Sequence, residues 1–267
     1  MTHTDFTSVL IEVGGMPVRV RATDPEFLCL LESHYAGFLS SGQQPEADFD
    51  VEIRGRNFDD TEPDVHVTKR GSRWEFTRGD FRAEWDPGKR HGHLVQMANP
   101  YGIDSVLRIV HSLIQADRGG FLLHSASAVR NGKAFLFAGE SGAGKTTISR
   151  MAPADAALLT DEISYVRRQG DTYLAFGTPF TGELDKPGKN ISAPIAALYL
   201  LAKGSENRID PIEPGEAVRA LLANVLFFAK DEHLVRALFD SGFEFVKRVP
   251  VSRLTFVPDA RVWELIG

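Results

Sequence analysis

Residues 139–146 constrain this chain more than any other segment. They read Gly-Glu-Ser-Gly-Ala-Gly-Lys-Thr and match the Walker A pattern G-x-x-x-x-G-K-[ST] without a gap. The residues before the loop, 134–138, form a short apolar run that is typical of a buried strand. The residues after it contain no helix breaker before Pro153, so a helix can begin there. The sequence therefore predicts a strand, a glycine-rich loop and a helix in direct succession.

Such a loop is suited to binding phosphate groups. Glycines let the backbone curl so that successive N–H groups point at phosphate oxygens, and the start of the following helix adds the positive end of its dipole. The Lys145 ammonium would neutralise the β- and γ-phosphates, and the Thr146 hydroxyl would bind Mg²⁺. ATP and Mg²⁺ are therefore the predicted cofactors. The residues predicted to hold the ATP phosphates are Gly139, Glu140, Ser141, Gly142, Ala143, Gly144, Lys145, Thr146 and Thr147.

An acidic pair, Asp161-Glu162, follows the apolar segment 156–160, which is predicted to be a strand. A phosphoryl-transfer site of this kind needs a carboxylate beside the metal, and strand ends on the loop side of an α/β sheet are where ligands bind. Asp161 is therefore predicted to hold Mg²⁺ together with Thr146, directly or through water. Either acid could accept the proton of an attacking hydroxyl. The alternative is a pair that only caps a turn.

The remaining pattern predicts an α/β protein with two regions. Residues 1–100 contain several short segments that alternate polar and apolar side chains, and they predict an N-terminal, mostly antiparallel β accessory region with one or two helices. One of these helices is expected to begin at Asp24-Pro25, with Asp24 as its cap. Residues 101–267 are predicted to form the phosphate-loop core. The two regions could also be one continuous domain.

Composition excludes several classes of protein. The chain has 267 residues, and a formal net charge of −6 does not suit a nucleic-acid partner. No apolar stretch approaches the roughly 18 residues that a membrane helix needs, and the N-terminus lacks the pattern of a signal peptide. The single cysteine, Cys29, is interpreted as a small core residue on a helix and fits a reducing compartment. We therefore expect a cytoplasmic protein without a membrane or nucleic-acid partner.

Three segments together resemble the catalytic core of the HPr serine kinase/phosphorylase family: Leu123–Val129, Gly139–Thr146 and Leu158–Glu162. That family shares with phosphoenolpyruvate carboxykinases a P-loop fold in which antiparallel strands flank the nucleotide loop. The resemblance, which is strongest over 121–167, thus implies a mixed, partly antiparallel sheet around the loop. The family's glycine-rich phosphorylase signature is not recognisable here. What the resemblance implies is a P-loop phosphotransferase; it identifies neither HPr as the acceptor nor the presence or absence of a reverse reaction.

The resemblance also assigns roles to single residues. By position, His124 would lie near the transferred phosphate, where it could donate a hydrogen bond or move a proton. Asp161 and Glu162 would share the metal and base roles. Without the resemblance, a lone histidine on an apolar strand, as at His124, is more typical of a hydrogen-bonded core residue.

A loop is predicted at 177–190, after a strand at 172–176. Its carboxylate Glu183 and its ammonium Lys186 form a possible substrate loop that could bind phosphate or close over the substrate. The alternative is a solvated connection with ordinary surface charges.

These features predict an HPr-kinase-like enzyme that transfers the γ-phosphoryl group of ATP to an alcohol, preferably a serine of a protein or peptide. The predicted catalytic residues are His124, Lys145, Asp161 and Glu162. A small-molecule hydroxyl is the alternative acceptor, and a nucleotide-binding regulatory protein with little turnover is the alternative function. Members of the resembled family assemble into oligomers, which implies a possible homo-oligomer.

Overall fold

The computed structural model describes residues 7–55 and 63–267, and the chain forms two compact units. Unit 1 consists of the residues up to His111 together with Phe228–Asp231, and unit 2 consists of Ser112–Phe227 and Glu232–Gly267. Each unit contains a mixed β-sheet, so the protein is of the α/β class that the sequence predicts. The division falls inside a helix that spans Tyr101–Asp117, whereas the sequence places it at residue 100.

The sheet of unit 1 has seven strands: β1 (Thr7–Val13), β2 (Met16–Ala22), β3 (Ala47–Ile53), β4 (His66–Arg70), β5 (Arg73–Arg78), β6 (Phe81–Asp86) and β7 (His91–Gln96). Its helices are α1 (Pro25–His34) and the first part of α2 (Tyr101–Asp117). The strand order is β1-β2-β3-β7-β6-β5-β4. The pairs β2–β3 and β3–β7 are parallel and the other four are antiparallel, so the region is mostly antiparallel around a parallel centre.

Alternating side chains give this sheet one buried face and one charged face. Along β2 and β7, every second residue is buried, as in an amphipathic strand. On the charged face, Nε of Arg21 donates to Asp50 at 2.9 Å, and Nε2 of His91 lies 2.9 Å from the other oxygen of that carboxylate. Such partly exposed pairs contribute little to stability. The buried apolar face is therefore what holds unit 1 together.

Helix α1 begins at the residue that the sequence predicts, because Oδ1 of Asp24 accepts both backbone N–H groups of the first turn, at 3.0 and 3.1 Å. The prediction for Cys29 is wrong, since its side chain is exposed. The helix buries Phe27, Leu28 and Leu31, and this places Cys29 on the opposite, solvent-facing side.

Unit 2 contains nine strands and three further helices. The strands are β8 (Phe121–Arg130), β9 (Lys133–Ala138), β10 (Ala157–Thr160), β11 (Ile163–Gln169), β12 (Thr172–Phe176), β13 (Ser192–Lys203), β14 (Arg208–Pro211), β15 (Val225–Leu226) and β16 (Val251–Phe256). The helices are α3 (Lys145–Arg150), α4 (Pro214–Ala223) and α5 (Glu232–Arg248). A 3₁₀ turn at Ala260–Glu264 follows.

Strand β8 organises unit 2. One of its edges pairs first with β11 and then with β10, and its other edge pairs with β15 and β9, all antiparallel. Strand β9 is antiparallel to β8 and parallel to β13, so the sheet around it is mixed. Because β10 and β11 run along the same edge of β8, the two residues between them lie directly beside that strand.

Within residues 7–55 and 63–267, no helix combines the length and the apolar character that crossing a membrane requires.

Candidate active site

The loop at 139–144 joins β9 to α3, in the strand–loop–helix order that the sequence predicts. Gly142 and Gly144 have φ angles of 76° and 110°, in a region that residues with a side chain rarely adopt. A Cβ added at Gly144 would lie 2.7 Å from the ring of Phe256. Glycine is therefore required at 144 both by the backbone conformation and by the packing beneath the loop.

Lys145 is the first residue of α3 and is only 9% exposed. Its Nζ donates to the carbonyl oxygen of Gly139 at 2.9 Å and lies 3.5 Å from that of Glu140. Burial lowers the pKa of Lys145, and the negative charges of Glu162 and Glu183 act in the opposite direction. One lysine and two glutamates therefore share a single electrostatic environment at the end of the loop.

The other loop residues expected to hold phosphates differ in exposure. Glu140 and Ser141 are exposed, whereas Thr146 and Thr147 are partly buried. The N–H group of Ala143 donates to the carbonyl of Glu140 at 3.0 Å and closes the turn at the tip of the loop.

The helix that follows the loop packs against a cluster of buried apolar side chains. Ile148 is fully buried in a cluster that includes Phe137, Phe256 and Trp263. Nε1 of Trp263 donates to the carbonyl oxygen of Ile148 at 3.1 Å. Since α3 has only six residues, several of its carbonyls find no partner within the helix, and Trp263 supplies one.

The acidic pair lies where the chain passes from β10 to β11 along β8. The hydroxyl of Thr160 accepts the N–H groups of Glu162 and Ile163 at 3.1 Å each, and this produces a tight turn. The turn separates the two carboxylates: Asp161 is 2% exposed, whereas the side chain of Glu162 is 33% exposed.

Both carboxylate oxygens of Asp161 accept backbone N–H bonds. Oδ1 accepts from Gly182 and Oδ2 accepts from Leu184, each at 2.9 Å. A Cβ at Gly182 would lie 2.8 Å from Oε2 of Glu162 and 2.9 Å from Oδ2 of Asp161. The backbone at 182 is therefore in direct contact with both acids.

His124 lies opposite Ile163 in the β8–β11 pair and next to Glu162. Its Nδ1 is 3.7 Å from Oε1 of Glu162, which is within ion-pair range but too long for a hydrogen bond. Burial lowers the pKa of His124, the Lys145 charge lowers it further and Glu162 raises it. The imidazole is therefore mainly neutral at pH 7.

The segment 177–190 is not a simple solvated connection. Gly177 to Phe180 are buried, and the N–H groups of Thr178 and Lys189 donate to the carbonyls of Leu159 and Leu158, each at 3.0 Å. The segment is thus hydrogen-bonded to β10 both near its start, at Thr178, and near its end, at Lys189. Its middle part, with Glu183 and Lys186, is exposed.

Lys186 is exposed. Among the residues that the structure describes, no hydrogen bond or ion pair joins Lys186 to His124, Lys145 or the acidic pair. Glu183, by contrast, is placed by the bonds on either side of it.

Sequence reasoning missed three contributors to this site: Gly182, Phe256 and Trp263. Gly182 is visible in the sequence only as one of several loop glycines, and its contact with the acids depends on how two distant segments meet. Phe256 and Trp263 read simply as core aromatics.

Within residues 7–55 and 63–267, no three His, Cys, Asp or Glu side chains cluster in a way that could hold a metal ion by themselves. A nucleotide-bound Mg²⁺ needs less, because phosphates and waters supply most of its ligands and one or two protein oxygens complete the set. The half-exposed carboxylate of Glu162 and the hydroxyl of Thr146 are hard oxygen donors of this kind. The residues present therefore fit Mg²⁺.

Comparisons with known proteins add the following. No curated protein matches the sequence significantly. Among solved structures, the HPr(Ser) kinase/phosphatase from Coxiella burnetii is matched over 51% of this chain and 84% of that chain, with 11% sequence identity and a TM-score of 0.29, which is a weak fold-level resemblance. The family model for the SynChlorMet cassette protein ScmC matches residues 96–267. That range is well over half of the chain and contains every residue of the candidate site, and the chain therefore belongs to the ScmC family.

Proposed function

We propose that this protein is an ATP- and Mg²⁺-dependent phosphotransferase that moves the γ-phosphoryl group to a hydroxyl acceptor. One observation carries the proposal: the glycine-rich loop ends in Lys145, whose ammonium shares one environment with Glu162 and His124. A cation for the phosphates, oxygens for a metal and a candidate base are thereby within a single site. These are the parts that phosphoryl transfer needs.

The loop and Lys145 bind the donor in this proposal. The ammonium that donates to the carbonyl of Gly139 would exchange this bond for the β- and γ-phosphate oxygens. Thr146 and a carboxylate of the acidic pair Asp161-Glu162 would hold Mg²⁺, which when bound neutralises charge on those oxygens. Backbone N–H groups of 139–147 would complete the phosphate site.

Transfer then requires a group that takes the acceptor's proton. The acceptor oxygen attacks the γ-phosphorus, the bond from that phosphorus to the bridging oxygen of ADP breaks, and the hydroxyl proton passes to a carboxylate of the acidic pair. His124, neutral near pH 7, is suited to accept a hydrogen bond from the acceptor or to donate one to the transferred group.

We propose a serine of a protein or peptide as the acceptor, because the three segments around the loop resemble the HPr serine kinases. A small-molecule hydroxyl is the second possibility within the same chemistry. A cytoplasmic location and a homo-oligomeric assembly are part of the same proposal, and neither follows from the fold.

The test is binding and transfer with matched lysine variants. Affinity for Mg·ATP is measured by calorimetry, and transfer is followed with γ-labelled ATP and candidate acceptors. We expect Lys145→Ala to weaken binding at least about tenfold, or about 1.4 kcal/mol. The control, Lys133→Ala at the exposed start of β9, should bind like the wild type. Equal affinity of the wild type and Lys145→Ala would contradict the proposal.

A nucleotide-binding regulatory protein is the second candidate function. It is favoured by the hydrogen bonds of Asp161, because both oxygens of this carboxylate already accept backbone N–H groups. The acidic pair discriminates between the two functions. If Asp161→Asn and Glu162→Gln leave the cellular function intact while Lys145→Ala abolishes it, the function is binding rather than transfer.

A further inference from the structure

We propose that Asp161 is a positioning residue: its carboxylate fixes the backbone on both sides of Glu183, and Glu162 and Glu183 are the carboxylates that face the ATP phosphates and Mg²⁺. This inference rests on the proposed function and divides the roles that the function leaves shared between the two adjacent acids.

The first step is the state of Asp161 itself. Its side chain is 2% exposed, and each of its oxygens accepts a backbone N–H at 2.9 Å. A metal ligand or a base needs an oxygen that the metal or the acceptor can reach. The oxygens of Asp161 are instead buried, and they accept the N–H groups of Gly182 and Leu184, the two neighbours of Glu183. Charge-assisted bonds of this kind are the stronger class of hydrogen bond, so they define the local backbone.

The second step is the shape of the segment between those two bonds. The N–H of Asp185 donates to the carbonyl of Gly182 at 3.2 Å and closes a four-residue turn. Glu183 occupies the second position of this turn and is exposed. Asp185 has a φ of 50°, a conformation that aspartate tolerates better than most residues. The turn therefore presents Glu183 at its corner.

The third step is the direction in which the turn faces. Gly182 packs closely against Oε2 of Glu162, which would lie 2.8 Å from a Cβ at this position. The turn and Glu162 consequently form one surface. The charge of Glu183 acts on Lys145 together with that of Glu162, so both glutamates are within electrostatic reach of the Lys145 ammonium. Asp161 acts beneath this surface.

Two accessible glutamates beside a phosphate site have a measurable consequence. ATP without a metal would be repelled by both carboxylates, whereas a bound Mg²⁺ would offset that repulsion. Neutralising Glu183 should therefore strengthen the binding of metal-free ATP and weaken the binding of Mg·ATP. If Asp161 acts only by placing Glu183, its loss should weaken Mg·ATP binding by the same factor.

The experiment is a double-variant cycle with the full chain: Asp161→Asn, Glu183→Gln and the combination, with Glu183→Asp as the conservative variant. Asp185→Asn is the matched control, because it removes a carboxylate from the same turn and leaves both bonds of Asp161 in place. ATP affinity is measured with Mg²⁺ and with EDTA. Deuterium uptake of peptides that span 180–186 is measured in the free protein.

We expect Asp161→Asn and Glu183→Gln each to weaken Mg·ATP binding about tenfold, with the combination no weaker than Asp161→Asn alone. Glu183→Asp should recover most of the affinity. Metal-free ATP should bind more tightly to Glu183→Gln than to the wild type. Uptake over 180–186 should rise in Asp161→Asn and stay at the wild-type level in Asp185→Asn.

The inference would be overturned if Glu183→Gln bound Mg·ATP as tightly as the wild type does. It would also be overturned if the combined variant lost affinity by the product of the two single losses. If the wild type itself does not bind Mg·ATP, the proposed function fails, and deuterium uptake alone then decides the positioning role. Faster uptake in Asp161→Asn than in Asp185→Asn supports that role, and equal uptake in the two variants refutes it.

Discussion

Nδ1 of His124 lies 3.7 Å from Oε1 of Glu162 across the β8–β11 pair, and the same imidazole senses the ammonium of Lys145. Burial is the largest influence on this histidine and lowers its pKa; the two charged neighbours act in opposite directions. The pKa of His124 is therefore sensitive to both parts of the site, the glycine-rich loop and the acidic turn.

The first prediction uses the opposite effects of Glu162 and Lys145 on the pKa of His124. Glu162→Gln should lower the pKa of His124 further, because it removes the negative charge that favours the imidazolium. Lys145→Met should raise the pKa of His124, because it removes a repelling positive charge. The titration of the His124 ring proton by NMR, identified by its loss in His124→Gln, measures both shifts. Shifts in the same direction would refute the arrangement described above.

The second prediction concerns acid stability and His111. This histidine is fully buried in unit 1, and burial lowers its pKa to about 3. Below pH 6.5 the unfolded chain binds a proton at this residue that the folded chain does not, so stability falls as the pH decreases from 6.5 toward 3. The contribution approaches about 1.4 kcal/mol per pH unit.

Urea unfolding followed by tryptophan fluorescence, at several pH values between 7.5 and 5, measures this dependence. His111→Gln should flatten it, whatever its own stability at pH 7.5, whereas His91→Gln on the exposed face of unit 1 should leave the slope nearly unchanged. Identical slopes in the wild type and His111→Gln would show that His111 does not cause the loss.

The third prediction tests the close approach at Gly182. Gly182→Ala places a methyl group less than 3 Å from both acidic side chains, so the turn or these side chains must shift. We expect a loss of about 1–3 kcal/mol in unfolding free energy and weaker Mg·ATP binding. Gly215→Ala, near the start of α4 with room for a Cβ, is the control and should be neutral or slightly stabilising. An equal effect of both substitutions would count against the close approach.

The fourth prediction compares two buried tryptophans. Trp263→Phe removes the donor to the carbonyl of Ile148 and should cost about 1–3 kcal/mol in unfolding free energy. Nε1 of Trp85 has no hydrogen-bond partner within the described part of the chain, so Trp85→Phe loses no such bond and should cost less. Thermal unfolding of both variants gives the difference. A larger loss in Trp85→Phe would contradict the role of Trp263 beneath α3.

The features that sequence predicts well here are local ones. The cap at Asp24 depends on residues two and three positions along the chain, and the glycines at 142 and 144 depend on their own backbone angles. The alternation in β2 and β7 reflects a sheet with one buried face. In each case the residues that decide the structure are close together in the sequence or repeat with the period of the element.

The features that it does not predict depend on distant segments. Strand β14 has four mostly exposed residues and no alternation, and its pairing with β16 defines it. The burial of 177–180 and the bonds of Asp161 require the chain to return to β10 after about twenty residues. The adjacent acids look equivalent in sequence, and only the turn at Thr160 gives them different surroundings.

The bond from Trp263 to Ile148 joins residues 115 positions apart, and it has a consequence for biosynthesis. During translation, the glycine-rich loop and α3 leave the ribosome long before residues 260–266 exist to support them. At the elongation rates of cells, about 5–20 residues per second, this interval lasts several seconds. We therefore expect nascent chains that stop before Trp263 to carry an unsupported loop. Nucleotide binding by the growing polypeptide would then begin only after Trp263 has been synthesised.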